Sequence, residues 1–356
     1  MKKICLLGYM KSHGGIQRNI VNISNYLCHD YKIYIINFDD ECEIAYELNK
    51  NVEVISLSTN GHWNELVAMK ACFSKIKPDL VIGFWLLNAI WAAFLKKIYH
   101  YKCIYSERND PSNPEYGLLL RLARLIGFHF IDRFVFQHRK ARDFFGSKIA
   151  KRSAIIANAV DLHNVKPKSV YSRSIKKFIS VGRLHLQKNQ SLMIEVFSDL
   201  INENNDLGNL TLDIYGNGEL YSNLMCDIKR FGLVNNIHIH KAQTGIYQIM
   251  SEADAFLLTS SYEGMPNVLI EAMSLGLPCI STNYSCGGVD EIIDNGKNGM
   301  IVEVNNKNQL RQAIRKLCSN PAMAIEMGNN AKKIRRKHDP DYIMTKWKDL
   351  LHDLMR

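Results

Sequence analysis

The chain has 356 residues, of which 22% are charged and 47% hydrophobic. That composition suits a globular protein of two domains and excludes wholesale disorder, collagen and coiled coil. Lysine plus arginine number 45 against 35 aspartate plus glutamate, a formal charge of +10. The excess calls for an anionic partner, of nucleic acid or membrane kind, only once the charges are located.

The charge is local. Residues 1–165 hold 22 basic and 15 acidic side chains, and the stretch 118–152 alone holds nine basic and two acidic. A second block, 332–337, has five basic residues and no acid. The nine cysteines form no C-x-x-C pair, which speaks against a disulfide framework or zinc ribbon and for a reducing compartment. The opening apolar run, Ile4 to Gly8, is too short for a signal-peptide core, and no uncharged stretch reaches the about 18 residues of a membrane span. A cytoplasmic location is expected.

In chain order, short apolar runs predict strands at 3–8, 32–37, 52–57, 80–84, 102–106, 133–137 and 153–157. A second series follows at 177–182, 210–215, 237–240, 255–259, 277–281 and 300–304. Segments apolar at helical spacing, such as 15–27 and 87–99, lie between them. Near-continuous apolar strands alternating with helices predict parallel sheets covered on both faces. The polar stretch 161–176 divides the two series, so the fold class is α/β, with two doubly wound Rossmann-like domains at 1–162 and 163–340. A terminal amphipathic helix, 341–356, carries Ile343, Trp347, Leu350, Leu351 and Leu354 on one face and is expected to complete the first domain.

Ligands of such sheets bind beyond the carboxyl ends of the strands. In the second series those ends read Gly182-Arg183-Leu184 with Lys188, then Tyr215-Gly216-Asn217-Gly218-Glu219, then Glu263-Gly264-Met265-Pro266-Asn267, then a loop with Cys286, Gly287 and Gly288. Pro266 suits the first turn of a helix that Gly276 and Pro278 stop. A helix start fronted by Gly264, with Arg183 and Lys188 on a neighbouring loop, makes a phosphate site. Glu263 precedes that helix and Glu271 lies about five residues into it, roughly 7.5 Å along its axis, so the two flank the phosphate site. Their spacing permits a hydrolase pair, yet phosphate-binding amides between two carboxylates suit a sugar nucleotide better.

The run Glu263-Gly264-Met265-Pro266-Asn267-Val268-Leu269-Ile270-Glu271 resembles the signature of the retaining nucleotide-sugar glycosyltransferases of family 4, which have the GT-B fold of two Rossmann-like domains facing across a cleft. Ser180 to Leu184 with Lys188, the Tyr215 to Glu219 turn, Gly287 to Glu291 and Asn298-Gly299 extend the resemblance, as do Gly14-Gly15 and Ile155 to Asp161 in the first half. It implies that Glu263 binds the donor sugar, Glu271 the ribose, and Arg183 and Lys188 the diphosphate, assisted by Met265 to Asn267 and Gly182. Catalytic weight would fall on Glu263, Arg183 and Lys188. Gly14 and Gly15 would let the first domain's backbone approach the phosphates or the acceptor. No metal or other cofactor is required if arginine, lysine and a helix end carry the leaving-group charge.

The segment Ser106-Glu107-Arg108-Asn109 resembles the branch of that family that extends lipid-diphosphate-linked oligosaccharides and surface polysaccharides (O-antigen or capsule) in bacteria, with hexoses or N-acetylhexosamines from UDP donors. By that resemblance Glu107, Arg108, Asn109 and the nearby loop residue His13 contact acceptor or sugar; a polar loop before Pro111 is the plainer reading. The resemblance therefore implies a hexosyltransferase using a UDP-sugar and a lipid-linked or polysaccharide acceptor. A sugar-nucleotide epimerase of the same fold and a GDP-sugar transferase are the alternatives. A Rossmann oxidoreductase is disfavoured because no G-x-G-x-x-G is present.

Other residues carry plainer readings. Asp339-Pro340-Asp341 precedes the terminal helix, away from any strand end. His238 and His240 alternate on one strand without a third metal ligand, and Cys279 and Cys286 have no neighbouring base. In 118–136, Leu118, Leu119, Leu122, Leu125 and Ile126 recur at helical spacing beside Arg121 and Arg124. That helix is either a core element with its arginines in water or a basic amphipathic helix lying on an anionic membrane. The second reading makes 118–152 a membrane-facing segment and the protein peripheral on the inner face of the plasma membrane. No nucleic-acid motif is present.

Overall fold

A computed structural model describes the whole chain except residues 12–13, 41–43, 45, 60, 112–116, 163–164, 204–206, 208 and 285–287, and the side chains of 118 and 119. It divides into two units: residues Met1–Ala159 with Pro340–Arg356, and Val160–Asp339.

The first unit has strands β1 (Lys3–Gly8), β2 (Lys32–Asn37), β3 (Val52–Ser56), β4 (Leu80–Gly83), β5 (Lys102–Ser106), β6 (Arg133–Phe136) and β7 (Ser153–Ile155), with helices α1 (Gly15–Leu27), α2 (His62–Ile76), α3 (Leu86–Tyr99), α4 (Leu118–Gly127), α5 (Arg139–Asp143) and α6 (Gly146–Ala150). The strands are parallel in the order β3-β2-β1-β4-β5-β6-β7. Side chains alternate across a strand, so one sequence feeds two layers. Ile4, Leu6, Ile33, Ile35 and Ile82 pack with Ile20 and Leu27 of α1 and with Ile343, Trp347 and Leu351 of the terminal helix Pro340–Met355. On the other face, Tyr101 meets Phe73 of α2 with ring centres 5.4 Å apart, and Phe128, just past α4, meets Phe134 at 4.8 Å.

The second unit has β8 (Lys177–Val181), β9 (Thr211–Tyr215), β10 (Ile237–His240), β11 (Ala255–Leu258), β12 (Cys279–Thr282) and β13 (Met300–Val302), with α7 (Gln190–Glu203), α8 (Tyr221–Arg230), α9 (Ile246–Glu252), α10 (Asn267–Leu275), α11 (Lys307–Ser319) and α12 (Pro321–Ala331). The order is β10-β9-β8-β11-β12-β13, again all parallel. Phe178, Leu212, Ile214, Leu257 and Ile280 pack with Ile194 and Phe197 of α7 and with Ile314 and Leu317 of α11. Both sheets are doubly wound, each reversing direction once, at β1/β4 and β8/β11. Those two points are where open α/β sheets leave a crevice for ligands.

One predicted strand shifts. The sequence places it at 277–281, and the chain forms it at Cys279–Thr282. The reason is a helix end: Gly276 is left-handed (φ 89°), and the Leu277 N–H donates to the Ala272 carbonyl at 3.0 Å. Leu277 therefore closes α10 and the strand opens only after Pro278.

Candidate active site

The β8/β11 switch point is built on close backbone contact. The Gly182 N–H donates to the Tyr215 carbonyl at 2.9 Å, and that of Leu184 to Asn217 at 2.9 Å. A Cβ added to Gly216 would lie 1.9 Å from the Gly182 oxygen, and one on Gly218 2.2 Å from that of Leu184. No side chain fits at either position, so the glycines of the Tyr215 to Glu219 turn press the Gly182 to Leu184 loop into place. Beyond it, a short 3-10 turn, Leu186–Lys188, ends on left-handed Asn189 (φ 49°). The Thr259 hydroxyl, at the end of β11, lies 3.0 Å from the Lys188 carbonyl and 2.9 Å from that of Asn189.

This framework brings Lys188 and Glu263 together across 75 residues of sequence. Their ammonium and carboxylate are paired, and the side chains are only 15% and 10% exposed. The Ser260 hydroxyl donates to the same carboxylate oxygen at 2.8 Å. Gln187 stitches the two loops, donating to the Tyr262 carbonyl at 2.9 Å while its own carbonyl accepts from the Ser261 N–H at 2.8 Å. Arg183 is exposed, its guanidinium 3.5 Å from the Gln187 side-chain oxygen, a contact at the limit of hydrogen-bond distance.

Glu271 is buried on α10, where the Tyr247 hydroxyl of α9 donates to it at 3.1 Å. Pro266 caps α10 in extended conformation (ψ 111°), and the first helical residue is Asn267, one position later than the sequence suggests. Gly264, Met265 and Pro266 are buried in front of that helix start, where the positive end of the helix favours an anion. The rim thus offers two cations, a helix N-terminus and two carboxylates. Sequence reading misses Ser260, Gln187 and Tyr247. Ser260 had a signal, since it stands three residues before Glu263; Tyr247 sits in no motif.

The first unit's rim is different. Gly14 caps α1 in extended conformation and Gly15 opens the helix, exposed; His13 lies outside the described residues. Glu107 and Arg108 are turned into the unit, 3% and 6% exposed. Arg108 Nε donates to Ser106 Oγ at 2.8 Å, and one terminal nitrogen donates to the Ile156 carbonyl at 3.2 Å and Asn158 Oδ1 at 3.0 Å. Gln137 (2.8 Å) and Asn19 donate to the same Asn158 oxygen. The guanidinium lies 5.6 Å from the centre of the Trp347 ring, and burial lowers its pKa to about 9. Glu107 accepts from the Tyr105 hydroxyl at 2.6 Å and the Asn109 N–H at 3.0 Å, and burial pushes its carboxyl up. Asn109 is half-buried.

The remaining candidates have local partners. His238 and His240 share Asp213, at 3.5 and 2.8 Å. Cys279 is buried, and burial raises its thiol well above the usual range. Gly288 begins a short 3-10 turn, Gly288–Glu291, while Cys286 and Gly287 lie outside the described residues. Pro340 and Asp341 are the first residues of the terminal helix.

Residues 165–334, most of the second unit, match the family described as Glycosyl transferases group 1. The chain is similar to the Campylobacter jejuni N-acetylgalactosamine-N,N'-diacetylbacillosaminyl-diphospho-undecaprenol 4-alpha-N-acetylgalactosaminyltransferase, 30% identical over 51% of this chain and 48% of that protein, about half its length. It is similar along 99% of both chains, at 23% identity, to a second Campylobacter jejuni protein, the GalNAc-alpha-(1->4)-GalNAc-alpha-(1->3)-diNAcBac-PP-undecaprenol alpha-1,4-N-acetyl-D-galactosaminyltransferase. Among solved structures, HepE of Anabaena in complex with UDP superposes with a TM-score of 0.82, covering 99% of this chain and 100% of that one at 17% identity. Residues 165–334 are therefore similar to the glycosyl transferases of group 1, and the two units together have the GT-B fold.

Proposed function

We propose that the chain is a retaining glycosyltransferase that moves a hexose or N-acetylhexosamine from a UDP-sugar to a lipid-linked oligosaccharide or polysaccharide acceptor in bacterial surface-glycan synthesis. The observation that carries this reading is the Lys188–Glu263 pair at the β8/β11 switch point, beside Arg183 and the start of α10. A diphosphate entering there takes Lys188 as its counter-ion, joined by Arg183 and the helix start. Glu263, released from the lysine, accepts a hydrogen bond from a donor-sugar hydroxyl. Glu271, steadied by Tyr247, holds the ribose diol. Charge that develops on the departing diphosphate then meets groups already in place, which is how such sites lower a barrier without reorganisation. Arg183, Lys188 and the helix start carry that charge in this mechanism, with no metal or cofactor assigned to the step.

The acceptor class is supported by the two Campylobacter relatives, whose names both refer to undecaprenol diphosphate. The UDP donor is supported by the HepE complex with UDP. A lipid-linked acceptor requires the enzyme to work at a membrane surface, as a peripheral protein on its inner face. Thermal unfolding with UDP-, GDP- and ADP-sugars, followed by radiolabel transfer, tests the reading. A shift largest with a UDP-sugar, and label that leaves the nucleotide only when acceptor is present, are expected. Release of label without acceptor would support the epimerase instead.

A further inference from the structure

The turn that carries Gln187 and Lys188 is capped by a titratable side chain. His185 stands in extended conformation (φ -143°, ψ 151°) ahead of the 3-10 turn Leu186–Lys188, and its ring Nδ1 accepts from the Gln187 N–H at 3.1 Å. A backbone N–H can only donate, so Nδ1 carries a lone pair and the ring proton of the neutral imidazole sits on Nε2. The Glu219 carboxylate lies 3.6 Å from Nε2, where it favours that tautomer. Among the described residues it is the one charged group within ion-pair distance of the ring. Gly218 brings it there, because the turn it belongs to presses on the Leu184 carbonyl too closely for any side chain.

The cap holds the turn on which both loops of the site meet. The Lys188 N–H donates to the His185 carbonyl at 2.9 Å, so the cap and the lysine share that turn. Gln187, whose N–H the ring fixes, is bonded to the Tyr262 carbonyl and the Ser261 N–H of the loop that bears Glu263. Its side-chain oxygen also lies 3.5 Å from the Arg183 guanidinium. A side chain that accepts from the N–H two residues on is ordinarily that of aspartate, asparagine, serine or threonine. Histidine can do the same, but it takes up a proton between about pH 5 and pH 8. The added proton goes to Nδ1, since Nε2 already holds one, and sets one N–H against another.

We infer that His185 is a positioning residue for the donor site, an acid-sensitive cap that keeps Gln187 and Lys188 in register with Glu263 only while its ring is neutral. Protonation breaks the Nδ1 bond, leaves the Gln187 N–H without its acceptor and loosens the turn that presents Lys188 to a diphosphate. The charged ring keeps Glu219 as its partner. Donor binding therefore weakens on acidification. That sign is the opposite of what charge alone gives, since a new cation beside a diphosphate would tighten binding at low pH. The inference rests on the donor reading of the Lys188–Glu263 rim and adds its regulation by pH.

The test is calorimetry of the full chain with UDP-glucose and UDP-N-acetylgalactosamine, whose diphosphate diesters do not titrate in this range, at about pH 8 and about pH 5.5. Wild type is expected to bind about fivefold more weakly at the lower pH, the size of a lost cap. H185A should be weakened by that factor at both. H185N, whose amide oxygen can accept from the same N–H without titrating, should bind like wild type at the higher pH and keep that affinity at the lower. The hydrogen-exchange protection factor of the Gln187 amide, read without nucleotide, should fall on acidification in wild type and not in H185N. Equal protection at the two pH values in wild type, a pH dependence unchanged in H185N, or tighter binding at the lower pH would overturn the inference. If neither nucleotide sugar binds at either pH, the donor reading fails while the exchange result still decides this one.

Discussion

The two sheets share a topology yet use the charged residues at their strand ends in opposite ways. After β5 of the first unit, Glu107 and Arg108 are drawn inward and tied to Ser106, Tyr105 and Asn158, with Trp347 of the terminal helix beside the guanidinium. After β8 and β11 of the second unit, Lys188 and Glu263 hold each other at the rim, and Arg183 is exposed. A buried, multiply bonded ion is a structural part that cannot leave its partners cheaply. The Lys188–Glu263 pair, held by one further bond from Ser260 and set beside a helix start, is the one proposed to exchange its partner for a ligand. The same residue types therefore read as fold in one unit and as site in the other.

Substitution can break this comparison most sharply at the second rim. Glu263→Gln keeps the shape but loses the carboxylate, and Lys188→Ala loses the cation proposed to neutralise the diphosphate. Each is expected to lower turnover about 10²–10³-fold, measured as UDP released per folded molecule. Arg108→Ala should do the converse. It removes the hub that holds Ser106, Ile156 and Asn158, at a cost of about 3 kcal/mol in urea unfolding, with turnover per folded molecule retained. If Arg108→Ala lost turnover without losing stability, the contrast between the two rims would fail.

A smaller effect sharpens the account of the second rim. Gly216→Ala forces a methyl against the Gly182 oxygen and should cost about 1–3 kcal/mol in thermal or urea unfolding. It should also weaken UDP binding, because the Gly182 to Leu184 loop must shift. The smallest expected effect is a pH dependence in the first unit. Burial raises the Glu107 carboxyl above its ordinary value, so its folded state holds the proton more tightly than the unfolded chain. The associated stability is present below the unfolded value of about 4.3 and is lost as pH rises through the folded one. Wild type should therefore lose stability relative to Glu107→Gln as pH rises across that interval. A constant difference between the two across that range would count against a strained carboxylate.

Most of the architecture was legible because a buried parallel strand announces itself as a short apolar run. Strand ends fell within about two residues, and the late start of 277–281 arose because a helix cap claimed Leu277. The helix that carries Glu271 was legible from Gly264, Pro266 and Gly276, whose backbone needs are local. What could not be read was pairing at a distance. The Lys188–Glu263 contact spans 75 residues, and the burial of Arg108 depends on Gln137, Asn158 and Trp347, which no local spacing connects to it. The outward stripe of α4 was also hidden. Periodicity shows that Leu122, Leu125 and Ile126 share a face, but only packing shows that Gly127 and Phe128 supply the inward side.

The proposed role of the Lys188–Glu263 rim is to hold the diphosphate and sugar of a UDP-sugar for transfer. It is tested most directly by UDP release from a UDP-sugar panel, with and without an undecaprenyl-diphosphate-linked acceptor, in wild type and in Glu263→Gln. Acceptor-dependent release by wild type with at least one UDP-sugar is expected, and its loss in Glu263→Gln despite an unchanged fold. Equal release by the two proteins, or turnover with another nucleotide sugar and none with UDP-sugars, would contradict it.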